Sequence, residues 1–109
     1  MSDTPIPNTP HQRLDARVRG RVQGVFFRAS TAEMAQRYGV TGWVRNREDG
    51  SVQAAFEGPT TALVEIREWL STGSPLSRVD EVIADWTTET EGFSDFQILR
   101  HYGPSTTSP

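Results

Sequence analysis

Apolar residues recur along this chain with two different periods, and the changes between them mark out its elements. From Arg13 to Arg19 the residues alternate, with Leu14, Ala16 and Val18 set between Arg13, Asp15, Arg17 and Arg19, which predicts a half-buried strand. Residues 29–38, ASTAEMAQRY, hold no proline or glycine and are rich in helix formers, and Gly39 suits the left-handed position after a helix end. Val40 to Val44 predict a second strand with Val40, Gly42 and Val44 on one face. Asn46 follows in step, so its amide leans toward the face that the helices cover. Asp49-Gly50 between two alternating runs predicts a hairpin into a third strand, Ser51 to Glu57, with Val52, Ala54 and Phe56 on one face. Gly58 and Pro59 are expected to break that strand, and Thr60 or Thr61 to cap a helix reaching about Leu70. Its buried stripe is Leu63, Ile66, Trp69 and Leu70, and Gly73 stops it. A fourth strand over roughly 78–87 and a short one from Asp95 to Leu99 or Arg100 follow.

The order is β-α-β-β-α-β with a short extra strand, which predicts an α+β, ferredoxin-like sandwich: an antiparallel sheet with both helices on one face and right-handed crossovers. At 109 residues the chain builds one domain with one modest core. Residues 1–12, with three prolines and neither a basic cluster nor an apolar run, read as a disordered tail and not as a signal peptide or membrane anchor. The domain is expected over 13–101, and 102–109 as a flexible tail.

Charge and composition narrow the function classes. With 35% hydrophobic and 23% charged residues this is the composition of a soluble protein, and a net charge of −3 offers no general attraction to nucleic acid or anionic membranes. Arg13, Arg17, Arg19, Arg21 and Arg28 nevertheless crowd one stretch, and such a local cluster suits a small anion. Cysteine is absent. That excludes disulfides, a thiolate metal site and a cysteine-nucleophile phosphatase, and agrees with a cytoplasmic location. Neither His11 nor His101 has a second titratable partner at a spacing that would hold a metal.

The stretch carrying the chemistry is VRGRVQGVFFR, Val18 to Arg28, where a strand passes through a glycine loop into a helix. Gly20 and Gly24 allow tight turns, so that N–H groups from about Arg21 to Phe27 can converge on one point, at which the helix N-terminus is also aimed. Arg28 stands where the loop becomes the helix, and its planar guanidinium can grip two phosphate oxygens. Neither GxxxxGK[ST] nor GxGxxG is present. From these residues alone a second reading stays open: ordinary turn glycines, Phe26 and Phe27 as core filler, and Arg28 as a solvated helix residue. Asn46, beside a hairpin, is by itself equally a turn residue.

VRGRVQGVFFR together with GWVRNREDGSVQAAFEG, Gly42 to Gly58, resembles the two signature segments of the acylphosphatase family. The resemblance covers about residues 13–101. It implies the ferredoxin-like sandwich and hydrolysis of acyl phosphates to a carboxylate and inorganic phosphate. The family's phosphate-binding arginine falls on Arg28 and its water-positioning asparagine on Asn46. The loop of Arg21, Val22, Gln23, Gly24, Val25, Phe26 and Phe27 supplies the backbone cradle. No cofactor or metal is implied, and the expected partners are a small acyl phosphate and phosphate, without nucleic acid or membrane, in a monomer. Related domains also occur in larger hydrogenase-maturation proteins. An initiator methionine and the lack of a downstream cysteine-rich region lead us to expect a free-standing enzyme. The chain departs from many members in continuing past Tyr102, so no role of a C-terminal carboxylate is carried over. Two rival classes are a phosphate sensor without turnover and an RNA-binding module of the same element order. The second wants aromatics on the exposed faces of the central strands, where the first strand has none and the third only Phe56.

Overall fold

The computed structural model describes residues 3–100 and contains β1 (His11–Arg21), α1 (Phe27–Arg37), β2 (Thr41–Asn46), β3 (Val52–Pro59), α2 (Thr60–Thr72), β4 (Arg78–Thr87) and β5 (Phe96–Leu99). The strands form one sheet in the order β4-β1-β3-β2-β5. The four long strands pair antiparallel, but β5 runs parallel to β2, with Gly42 opposite Phe96 and Val44 opposite Ile98. The sheet of this ferredoxin-like α+β fold is therefore mixed, a correction to the antiparallel sheet expected. The chain leaves β4 at the far edge and crosses to the β2 edge, which orients the last strand along β2.

Both helices lie on one face of the sheet, α1 against β2 and β5, and α2 against β1, β3 and β4. The core between them is the alternating set read from the sequence: Leu14, Ala16 and Val18 of β1, Val44 of β2, Val52, Ala54 and Phe56 of β3, and Leu63, Ile66 and Leu70 of α2, all at most 4% exposed. Phe27 of α1 joins them and lies against Trp69 with ring centroids 5.5 Å apart.

Several boundaries differ from expectation for identifiable reasons. Gly58 and Pro59 do not break β3, because they pair with Gln12 and His11 of β1, so that β1 also starts inside the stretch expected as a tail. Residues 3–10, likewise expected as a disordered tail, are placed against the domain. The buried Gln12 side chain accepts the N–H of Ile6 at 2.9 Å and donates to the carbonyls of Ile6 and Thr9, and the Asp3 carboxylate meets Arg67 and the Trp86 indole N–H. Thr60 does not cap α2. Its hydroxyl donates to Thr9 O, and the helix begins after Pro59 without a side-chain cap. Gly20 is not a loop glycine but a strand residue. Its φ is +132°, and a Cβ there would stand 2.1 Å from Arg78 O, so it lets β4 approach at the point where the β1–β4 register shifts. The expected tail 102–109 lies outside the described residues.

Candidate active site

The segment between β1 and α1 contains alternating buried and exposed residues. Val22, Val25 and Phe27 are buried, whereas Gly24 (φ +75°) and Phe26 (φ +62°) take left-handed conformations that turn the chain around them. A left-handed residue followed directly by helical ones points successive N–H groups to the same side. The first intrahelical bond here is Ser30 N–H to Phe26 O at 3.0 Å. The N–H groups of Phe27, Arg28 and Ala29 thus precede the helical ladder at its positive end, and all three residues line one cavity of about 320 Å³. Val22, Gly24, Phe26, Asn46 and Ile98 complete its lining.

Arg28 is the one charged side chain among these lining residues. Its Nη1 donates to Leu99 O at 3.1 Å, which anchors the guanidinium against the end of β5. A guanidinium has five N–H donors, so one such bond fixes its position and leaves the fork free to bind. Asn46 enters from the last position of β2. Its Oδ1 is buried and accepts no hydrogen bond among the described residues. A buried acceptor without a donor is costly in a folded protein, and this one belongs to a residue that lines the cavity.

Of the expected cradle, Val22, Gly24, Phe26 and Phe27 line the cavity, whereas Arg21, Gln23 and Val25 do not. Arg21 is still part of β1, paired with Arg78. Gln23 and Val25 hold the loop from behind. Gln23 Nε2 donates to Arg47 O and Ser51 O, both at 2.8 Å, and so ties the loop to the hairpin that carries Asn46. Val25 O accepts the buried Ser74 hydroxyl at 2.8 Å, across 49 residues of sequence. The sequence gives no sign of either tie, because each joins segments brought together only by the fold. The arginine cluster also separates. Arg13 binds Asp15, Glu57 and Glu91 on the sheet face away from the helices, and Arg19 faces Glu81 at 4.0 Å. Alternation sends Arg13 and Arg17 to that open face, so only Arg28 reaches the cavity. Among the described residues no group of three or more His, Cys, Asp or Glu side chains is placed to hold a metal ion.

Comparison with known proteins agrees with this arrangement. The family model described as acylphosphatase matches residues 14–98. A relative from Pyrobaculum islandicum named acylphosphatase is 53% identical over 83 residues, covering 75% of this chain and 87% of that protein. The crystal structure of acylphosphatase from Bacillus subtilis superimposes with a TM-score of 0.79 at 38% identity, covering 81% of this chain and 98% of that one. The structure of an acylphosphatase from Coxiella burnetii matches with the same TM-score at 31% identity, over 86% of this chain and the whole of the other. On its fold, on the model match over residues 14–98 and on these relatives, the chain belongs to the acylphosphatase family.

Proposed function

We propose that this chain hydrolyses acyl phosphates to a carboxylate and inorganic phosphate without a metal or cofactor, as a monomer whose working unit is the domain of residues 13–101 extended back to His11. The observation carrying this reading is that one cavity is lined by a helix N-terminus, by Arg28 and by Asn46, whose Oδ1 is buried without a partner among the described residues. The N–H groups at the start of α1 and Arg28 hold the phosphoryl oxygens and spread the charge that builds up on them. Asn46 Oδ1 accepts a hydrogen bond from a water and aims its lone pair at phosphorus; an amide is too weak a base to do more than orient it. The leaving group is a carboxylate with a conjugate-acid pKa of roughly 4, so it departs without a general acid. The site needs to supply only position and positive potential.

Hydrolysis of benzoyl phosphate, with chelator present, tests this. Arg28→Ala is expected to lose on the order of 3–5 kcal/mol of transition-state stabilisation, roughly two to four decades in rate. Asn46→Ala is expected to lower kcat strongly while inhibition by inorganic phosphate persists, because it acts on the water. An Arg28→Ala protein retaining half the wild-type rate would overturn the assignment. A folded wild type that binds phosphate but turns nothing over would make the site a sensor.

A further inference from the structure

Phe26 is a residue that folding alone does not explain. Its backbone is left-handed, at φ +62° and ψ +24°, a conformation that costs an ordinary side chain roughly 1–2 kcal/mol and that glycine or asparagine adopts more easily. Its ring is 73% exposed, so no core burial offsets the strain. Gly24, two residues earlier in the same loop, meets the same backbone demand at φ +75° without a side chain. Strained backbone of this kind clusters at active sites and ligand clamps.

Ile98 points the same way. It is in register with Val44 on the helix-covered side of β5, yet it is 43% exposed, whereas its neighbour on that side, Phe96, is 9% exposed. Phe26 and Ile98 both line the cavity that holds Arg28 and the start of α1. If the phosphoryl end sits against those donors, as proposed above, the acyl substituent attached through the anhydride oxygen must leave across the mouth. There it meets two apolar side chains and, among the described lining residues, no charge other than Arg28. A cavity of about 320 Å³ has room for a phosphoryl group and a group of roughly ring size.

We infer that Phe26 and Ile98 form an acyl subsite that selects substrates with an aromatic or branched aliphatic acyl group over acetyl phosphate and over acyl groups bearing a second carboxylate. This inference rests on the acyl phosphate reading of the site. An acetyl group is too small to cover the Phe26 ring, and a second carboxylate would lose water without gaining a partner.

The test compares kcat/KM for benzoyl, acetyl and succinyl phosphate in the wild type, Phe26→Asn and Ile98→Ala, alongside calorimetric affinities for benzylphosphonate and methylphosphonate. Asparagine tolerates the left-handed backbone, so that exchange removes the ring and not the turn. The wild type is expected to favour benzoyl over acetyl phosphate by about tenfold or more, with succinyl phosphate no better than acetyl, and benzylphosphonate over methylphosphonate to a similar degree. Both variants are expected to shrink the ratios about fivefold. Each ratio compares ligands with the same phosphorus end, so an effect on the phosphate cradle cancels. Wild-type ratios near one, or ratios unchanged in both variants, would overturn the subsite. If the wild type hydrolysed no acyl phosphate, the hydrolysis reading would fail, while the phosphonate ratio would still decide the subsite.

Discussion

At the scale of single residues, Gly20 and Gly24 serve different ends although both have a positive φ. Gly20 is needed for space, since a Cβ would meet Arg78 O at 2.1 Å and Asp80 N at 2.8 Å, both backbone atoms that cannot yield. Gly24 is needed only for its φ, because nothing lies within 4 Å of where its Cβ would be. Gly20→Ala is therefore expected to cost on the order of 3 kcal/mol or more and to disturb the β1–β4 pairing, and Gly24→Ala only about 1 kcal/mol of stability. Urea unfolding midpoints at constant m-value check this, and equal losses would show that close approach to β4 is not what selects glycine at position 20. The sequence marked both as turn glycines, because spacing shows a glycine but not the neighbour strand that demands it. Arg28 and Asn46 were both legible from the paired motifs, and the fold brings them to one cavity. Gln23 was legible only as part of the loop, since its partners Arg47 O and Ser51 O lie on a hairpin.

At the scale of elements, the segment before β1 works as a clamp across the end of α2. Gln12, fully buried, uses its amide to bind Ile6, Thr9 and Thr60, and Pro10 O accepts the Thr60 N–H that opens α2. Arg67 and the Trp86 indole hold Asp3, and the bond from Arg67 is the leading cause of its lowered pKa, against the opposing effect of burial. Deleting residues 1–10 would remove every partner of the Gln12 amide given above except Thr60. We expect a loss of about 2 kcal/mol, or roughly 10 °C in Tm, with kcat/KM for benzoyl phosphate within about twofold, because the segment lines none of the cavity. An unchanged Tm would show that water replaces these contacts at no cost. Local composition pointed to a tail here because three prolines and few apolar residues carry no period. The bonds that order the segment come from Gln12, Thr60, Arg67 and Trp86, none of which is in it.

At the scale of the whole molecule, the open sheet face is locked at one end by Glu57, 2% exposed on β3. Burial opposes its charge, but the N–H groups of Glu91 and Gly92, at 2.7 and 2.9 Å, together with Arg13, outweigh it and hold the carboxyl below its ordinary value of 4.5. A depressed folded pKa contributes stability that is complete above the unfolded value and lost as pH falls through the folded one. Tm is therefore expected to fall below about pH 4.5. Glu57→Gln should lower Tm at pH 7 and converge on the wild type in acid, and parallel curves would mean that Glu57 contributes nothing to the acid transition. What the sequence determined by itself was everything carried by local periodicity and contiguous motifs: the seven elements, the inward faces of the first three strands and α2, and the candidate roles of Arg28 and Asn46. Only the tertiary structure decided the parallel course of β5, the dispersal of the arginines, the back-side ties of Gln23 and Ser74, and the placing of Ile98 and Phe26 on one cavity. Each of these depends on contacts between residues far apart in the chain, and alternation along a strand says which way a side chain points but not what stands opposite it.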